Sequence, residues 1–508
     1  MNAPLTAAVP SQPYDPAPAP GLSRADFACI GKGGLGDGHN NYAHSMAWFK
    51  GKLYLGTTRS NLCSLRLQSA FEDIPFDCWP VECPETMDEL YKIDRRAQIW
   101  CYDPATREWE MVYRAPLVES VTGNGQMVTR EMGYRSMDIF QGEDDPEPAL
   151  YISAWAPSRA PGGLILRTRD GRNFEQISRY GILEDTPIST TRCLTTFKGR
   201  MFFAPTARRG TDGSQQNTTG LPVVFETRDP NSGVWMPVSE FGFGDTGNLG
   251  IFTLCAEGDR LYAGTFHLDG FQVWASDCEG PPPYRWKKLL DRGGHRGPQN
   301  QAVASMVGFK GAVYVGSGIQ GGGFDRVNNV GPASAELIRI NADDSWDLIV
   351  GDPRSTPDGR REPLSVLRAG FGNLFNGYFW TLGVHDGWIY LGTYDWTIML
   401  RWTRRNSLPP RAKRLFELMS PENLIEFDGG GDLWRSHDGE NWIPVCRRGL
   451  GNPYNFGIRN LVSTELGLFV GMANVFGPRV AVRRGDRWAY SDNPNGGLEV
   501  WLGSKAGA

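Results

Sequence analysis

Short apolar runs recur along the chain. Each closes on an aromatic residue, turns through a Lys-Gly type pair and continues into a second apolar run that ends in small residues. The first copy is His44-Ser45-Met46-Ala47-Trp48-Phe49-Lys50-Gly51, followed by Leu53-Tyr54-Leu55-Gly56-Thr57. Further copies start at Arg135, Arg192, Phe252, Ala304, Trp380 and Arg459, so the starts number seven in all. β-Formers in the runs and glycine at the bend predict two antiparallel strands per copy.

A second phrase supplies the outer half of the unit. Its clearest copy is Trp434-Arg435-Ser436-His437-Asp438-Gly439-Glu440-Asn441-Trp442; Leu166-Arg167-Thr168-Arg169-Asp170-Gly171-Arg172-Asn173-Phe174 is another, with a looser one from Thr227 to Trp235. An Asp-Gly hairpin closed by an aromatic suits the junction of strands three and four. These turns resemble the Asp-box of sialidase-like and sortilin-like propellers, where the box is structural. The pattern as a whole predicts an all-β chain, a seven-bladed β-propeller over 23–508. The N-terminal strand near Phe27-Ala28-Cys29-Ile30 is expected to complete the last blade beside Leu498-Glu499-Val500-Trp501, which removes open sheet edges.

Residues 1–22 are rich in Pro and Ala and read as a disordered tail, without the apolar stretch of an export signal. A cytoplasmic protein is therefore expected, and no run is long enough to span a membrane. The nine cysteines form no dense framework and are expected as free thiols; Cys63, Cys78 and Cys83 lack the His or CxxC pair of a metal site. With a net charge of −5 and no long basic run, nucleic acid is a poor partner. Inserts near 60–95 and 401–428 interrupt the repeat on one face, and 411–419 is helix-compatible; long inserts of this kind are often lids.

In a propeller the innermost strands line a channel. The first repeat positions then form a ring of His44, Arg135, Arg192, Phe252, Ala304, Trp380 and Arg459, whose arginines favour anions. The opposing reading is that they bond to neighbouring carbonyls and carboxylates and merely hold the blades. An outer ring follows the second strands: Arg59, Trp155, His267, Thr393, Tyr394, Asp395, Trp396 and Asn474, joined by Tyr454. Arg59, Asp395 and Tyr454 are expected to converge as a catalytic trio, although Asp395 and Arg59 also make an ordinary salt bridge conceivable. Two histidines, His44 and His267, do not make a four-histidine iron site, and no catalytic metal is expected.

Several short pieces resemble the cylindrocyclophane-forming alkylating enzymes and their bartoloside-forming relatives: Gly56-Thr57-Thr58-Arg59-Ser60-Asn61, Arg96-Ala97-Gln98-Ile99-Trp100, Gly392-Thr393-Tyr394-Asp395-Trp396 and Gly451-Asn452-Pro453-Tyr454-Asn455-Phe456-Gly457-Ile458-Arg459. The resemblance implies substitution of a secondary alkyl chloride by an alkylresorcinol carbon or a carboxylate, with small-molecule partners and no required cofactor. It implies that Arg59 and Tyr454 hold the leaving chloride and that Asp395 takes a hydrogen bond or proton from the resorcinol. Phe371, Leu374, Phe375 and Trp396 would hold alkyl chains. The chain departs from that family in having no room for a separate calcium-binding module; Gly321-Gly322-Gly323-Phe324-Asp325 is a lone fragment, so no motif supports a structural calcium. The alternatives are a hydrolase or lyase acting on an anionic substrate through the central arginines, and a non-catalytic scaffold.

Overall fold

The computed structural model describes residues 19–67, 76–184, 186–208, 220–325, 327–404 and 410–505. The chain is all-β, with antiparallel strands and short helical connections. Each repeat turn is a hairpin in the expected register, with Phe49 opposite Lys52, Phe197 opposite Arg200, Phe309 opposite Ala312 and His385 opposite Trp388. Third and fourth strands add outward in the same sense, as where Leu433–Ser436 pairs with both Trp388–Asp395 and Trp442–Cys446. This four-stranded, propeller-like unit recurs with first strands Asn40–Phe49, Gly133–Phe140, Ile188–Phe197, Asn248–Glu257, Ala302–Phe309, Asn376–His385 and Gly457–Thr464.

The glycine in the second strands has a packing cause. A Cβ at Gly392 would lie 2.5 Å from the Cβ of Ile458, and one at Gly264 would lie 2.6 Å from that of Val303. The next unit's first strand approaches so closely there that only glycine fits. Consecutive first strands therefore pack on one another, and Asn40–Phe49 also contacts Gly457–Thr464. Between them lie apolar layers such as Tyr54, Ile99, Ile152 and Leu166.

The N-terminal strand lies where the sequence predicts it: Phe27–Gly31 pairs with Val500–Gly503, Phe27 opposite Gly503. Hydrogen bonding between units is not continuous, however. The unit from Ile188–Phe197 to Met236–Pro237 stands as its own four-stranded sheet.

Two expectations are corrected. Of the tail, 1–18 lies outside the described residues, but 19–22 is ordered: the Leu22 amide donates to the Tyr390 hydroxyl at 2.9 Å, and Trp388 Nε1 donates to the Ala19 carbonyl at 2.7 Å. Leu22 is buried in an apolar cluster, which is why the chain is pinned this early. The thiols are not all free, since Cys63 and Cys83 form a disulfide, while the other seven cysteines are free. Sequence spacing carried no sign of it, because helix Asn61–Arg66 and the strip after Asp77 are brought together only by packing within the insert.

Candidate functional site at the channel mouth

A loop motif precedes several first strands: Gly34-Leu35-Gly36-Asp37 before Asn40, Gly242-Phe243-Gly244-Asp245 before Asn248, Gly370-Phe371-Gly372-Asn373 before Asn376, and Gly449-Leu450-Gly451-Asn452 before Asn455. The glycine and the apolar residue after it are left-handed in every copy, as in Gly370 at φ +66° and Phe371 at φ +56°. The asparagine holds the turn. Asn376 Nδ2 donates to the Gly370 carbonyl at 3.0 Å and to Asp432 at 3.1 Å; Asn40 does the same with Gly34 at 2.8 Å and Gln98 at 2.9 Å. Asn248 pairs likewise with Gly242 and Gln272, and Asn455 with Gly449 and Glu499.

This latch decides what Arg59, His267 and Asp395 do. Each stands at the end of a second strand, directly opposite the latch asparagine. Each then meets the fourth residue of its own loop motif: Arg59 to Asp37 at 2.7 Å, His267 to Asp245 at 3.9 Å, Asp395 to Asn373 at 3.1 Å. Arg59 is fully engaged, giving further bonds to Asn40 at 2.7 Å and to the Asp94 carbonyl. Asp395 is wholly buried and accepts from the Thr397 amide and hydroxyl, both at 2.9 Å, and from the Gly430 amide at 3.3 Å. Burial pushes its pKa up to about 8, against the Thr397 bonds and with help from the Asp432 carboxylate. Among the described residues, then, Arg59, Asp395 and Tyr454 share no hydrogen bond. Alternation along the strand turns Thr58 toward His44 and Tyr394 toward Trp380, and their neighbours Arg59 and Asp395 into the loops.

The channel-facing positions do converge. His44 hydrogen-bonds Thr58 and lies within 6.0 Å of the Trp155 ring and 5.4 Å of Tyr42. Three guanidiniums rest on aromatic faces: Arg135 on Trp155 at 5.0 Å, Arg192 on Phe252 at 4.3 Å and Arg459 on Trp380 at 5.4 Å. Arg135 feels the charges of the other two, and Arg459 feels that of Arg192. Burial and the Arg459, Arg135 and Arg192 charges hold His44 well below its usual range, and burial with Arg192 lowers Arg459 to about 9. Burial and the other two arginines also lower Arg135. Tyr42, Tyr378 and Tyr394 complete the wall, with Tyr394 at 5.3 Å from both Trp380 and Tyr378.

Above this throat the inserts form a cap. Phe76 bridges to Thr403, the Asp77 amide donates to the Trp402 carbonyl at 2.7 Å, and Trp402 Nε1 donates to Ala481 at 2.9 Å. Leu62, Ile398, Trp402, Phe476 and Val480 form one apolar cluster that also packs on Tyr42, Trp380, Tyr394 and Tyr454. Residues 68–75 and 405–409 of the inserts lie outside the described residues; the helix expected at 411–419 is Pro410–Leu418. Within the cap Arg401 donates to the Tyr454 hydroxyl at 2.6 Å, a partner that sequence reasoning missed.

The remaining candidates divide by environment. Phe371 stacks on Trp434 at 4.1 Å within a blade core, and Thr393 bonds Asn376 at 2.9 Å as part of the latch, so neither lines the throat. Trp396 is buried between Phe324 and Phe375, each at 4.6 Å. Leu374 and Phe375 line a separate cavity of about 320 Å³ beside Arg414 and Leu418. Tyr42 and Tyr378 were also missed. Their signal was legible, since both lie two residues before a ring position already singled out, His44 and Trp380, and strand alternation puts such neighbours on one face.

No family model matches the chain, and no curated protein matches it. Among solved structures it is similar to puromycin hydrolase, at 9% identity over 92% of this chain and 55% of that one, with a TM-score of 0.42. It is also similar to a protein of unknown function from Dyadobacter fermentans, at 14% identity over 74% of this chain and 95% of that one, TM-score 0.39. A Mycobacterium tuberculosis puromycin-hydrolyzing peptidase follows at 8% identity, 88% and 60% coverage, TM-score 0.35. None of these scores reaches 0.5, so no function passes from those proteins to this chain. No helix among the described residues is long and apolar enough to cross a membrane.

Proposed function

We propose that the units are the seven blades of a closed propeller and that the chain is an alkylating enzyme working between the throat and the cap. The observation that carries this reading is the Tyr454 hydroxyl held by Arg401 at 2.6 Å within an aromatic cluster. A phenol polarised by a guanidinium in apolar surroundings is a strong donor to a departing halide, because water does not compete for the bond. In this reading Arg401 takes the place expected for Arg59, and Asp395 positions the loop and insert rather than touching substrate.

The step transfers a secondary alkyl group to an alkylresorcinol. The carbon–chlorine bond breaks with its electron pair leaving on chloride toward Tyr454. A ring carbon supplies the pair for the new carbon–carbon bond, and its hydrogen leaves as a proton to His44 and then to water. A protonated arene is so acidic that a weakly basic imidazole suffices, and burial, with the three guanidinium charges, holds the His44 pKa well below its usual range.

The test is incubation with a secondary alkyl chloride and an alkylresorcinol, reading adduct by mass spectrometry and chloride by ion chromatography. Both products are expected together, and Tyr454→Phe should slow their formation by about a hundredfold, the scale of one lost oxyanion-type donor. Neither adduct nor chloride from the wild-type chain would end the proposal.

A further inference from the structure

The arginines that reach into the interior of this chain, buried or half-buried, include two kinds. Arg167 bonds Asp145 at 2.9 Å and Glu175 at 2.7 Å; Arg200 bonds Glu226 at 3.2 Å, Tyr284 at 2.5 Å and the Cys278 carbonyl at 3.0 Å. Arg59 and Arg354 are likewise paired, to Asp37 and Glu336. That is the usual state of a buried charge, since an uncompensated one costs several kcal/mol of desolvation. Arg192 and Arg459 are different. Among the described residues neither makes a hydrogen bond or an ion pair; each has only an aromatic face, Phe252 at 4.3 Å and Trp380 at 5.4 Å. Arg459 Nε is buried without a partner.

We infer that the throat is a binding site for a small organic carboxylate. A guanidinium stacked on a ring leaves its in-plane N–H fork open, and that fork matches a carboxylate edge. Arg192, Arg459 and Arg135 carry like charges into one narrow space, an arrangement that raises the free energy of the empty site and is relieved by an anion. Tyr42, Tyr378 and Trp155 provide apolar wall for the ligand's body, which favours an organic anion over a bare inorganic one. The groups facing the site are His44, Tyr42, Tyr378, Cys193 and the arginines themselves, with no carboxylate among those acting on Arg192, Arg459 or His44. The inference is independent of the alkylation proposal, because it requires no turnover.

The experiment is calorimetric titration of the full chain with benzoate, acetate and inorganic phosphate at constant ionic strength, alongside the Arg192→Gln/Arg459→Gln double variant. The wild type is expected to bind benzoate saturably and more tightly than acetate, and the double variant at least tenfold more weakly. In the same titration the His44 imidazole, assigned by His44→Gln, should shift to a higher pKa as benzoate fills the site. Melting separates ligand binding from a holding role: loss of two unpaired charges should leave the melting temperature unchanged or raise it, whereas structural arginines would lower it. If the double variant does not fold, the wild-type His44 response decides alone. Absence of saturable benzoate binding, equal binding by the double variant, or phosphate binding tighter than benzoate would each overturn the assignment.

Discussion

Among the described residues Asp395 is a carboxyl with no cation and four hydrogen bonds, from Asn373, Thr397 twice and Gly430. Its folded pKa of about 8 lies above the ordinary carboxylate value, so between the two the folded chain binds a proton that the unfolded chain has released. The sign is therefore a loss of stability as pH rises from the usual carboxylate range to about 8, and no further contribution above it. Urea midpoints measured from pH 5 to 9 should fall more steeply for the wild type than for Asp395→Asn. Parallel profiles would show that Asp395 is ionised throughout. The latch asparagine makes a second residue-scale expectation. Asn376→Ala removes the bonds that Asn376 makes to the buried Gly370 carbonyl, to Asp432 and to Thr393, and should cost about 1–3 kcal/mol in chemical denaturation. In sequence Asp395 looked like an acid poised for chemistry; its neighbours Asn373 and Gly430 stand 22 and 35 positions away, and the spacing that brings them in belongs to the fold.

The repeat was legible at the level of elements, because alternation of apolar residues and Asp-Gly turns act locally. Both clear Asp-box turns form as read. Asp438 accepts from the Glu440 and Asn441 amides at 2.9 and 2.8 Å, and Asp170 from those of Arg172 and Asn173, both at 2.8 Å. These bonds help to hold Asp438 down at about 2 despite its partial burial. Asp438→Ala should lower stability by about 1–3 kcal/mol with little effect on any binding at the throat, measured by melting and calorimetry together. The loop latch was only half legible. Its glycines were visible at Gly34 and Gly449, but left-handed backbone at Leu35, Phe243, Phe371 and Leu450 breaks the residue preference. Phe371 tolerates it while stacked on Trp434, which is why an apolar residue at the rim proved to be blade packing.

Across the whole molecule, register between hairpins is set by contacts remote in sequence. Gly392 against Ile458 and Gly264 against Val303 show how tightly consecutive units approach. Gly392→Ala must move one strand and is expected to cost about 1–3 kcal/mol by overpacking, read as a lowered denaturation midpoint. The inserts were expected on one face, and their joining into a cap over Tyr42, Trp380 and Tyr394 comes from packing that no local pattern encodes. Arg135, Arg192 and Arg459 were singled out from strand position alone, because each starts a copy of the repeat. Among the described residues Arg192 and Arg459 make no hydrogen bond or ion pair and rest only on the Phe252 and Trp380 rings, which only the assembled structure reveals. The throat is thus where charge, aromatic wall and cap coincide, and an anion should lodge there. Anomalous diffraction from a bromide-soaked crystal tests this most directly. A bromide peak within hydrogen-bond reach of the Arg192 and Arg459 guanidiniums is the expected result; ordered arginines with no peak between them, while bromide occupies other surfaces, would contradict the account.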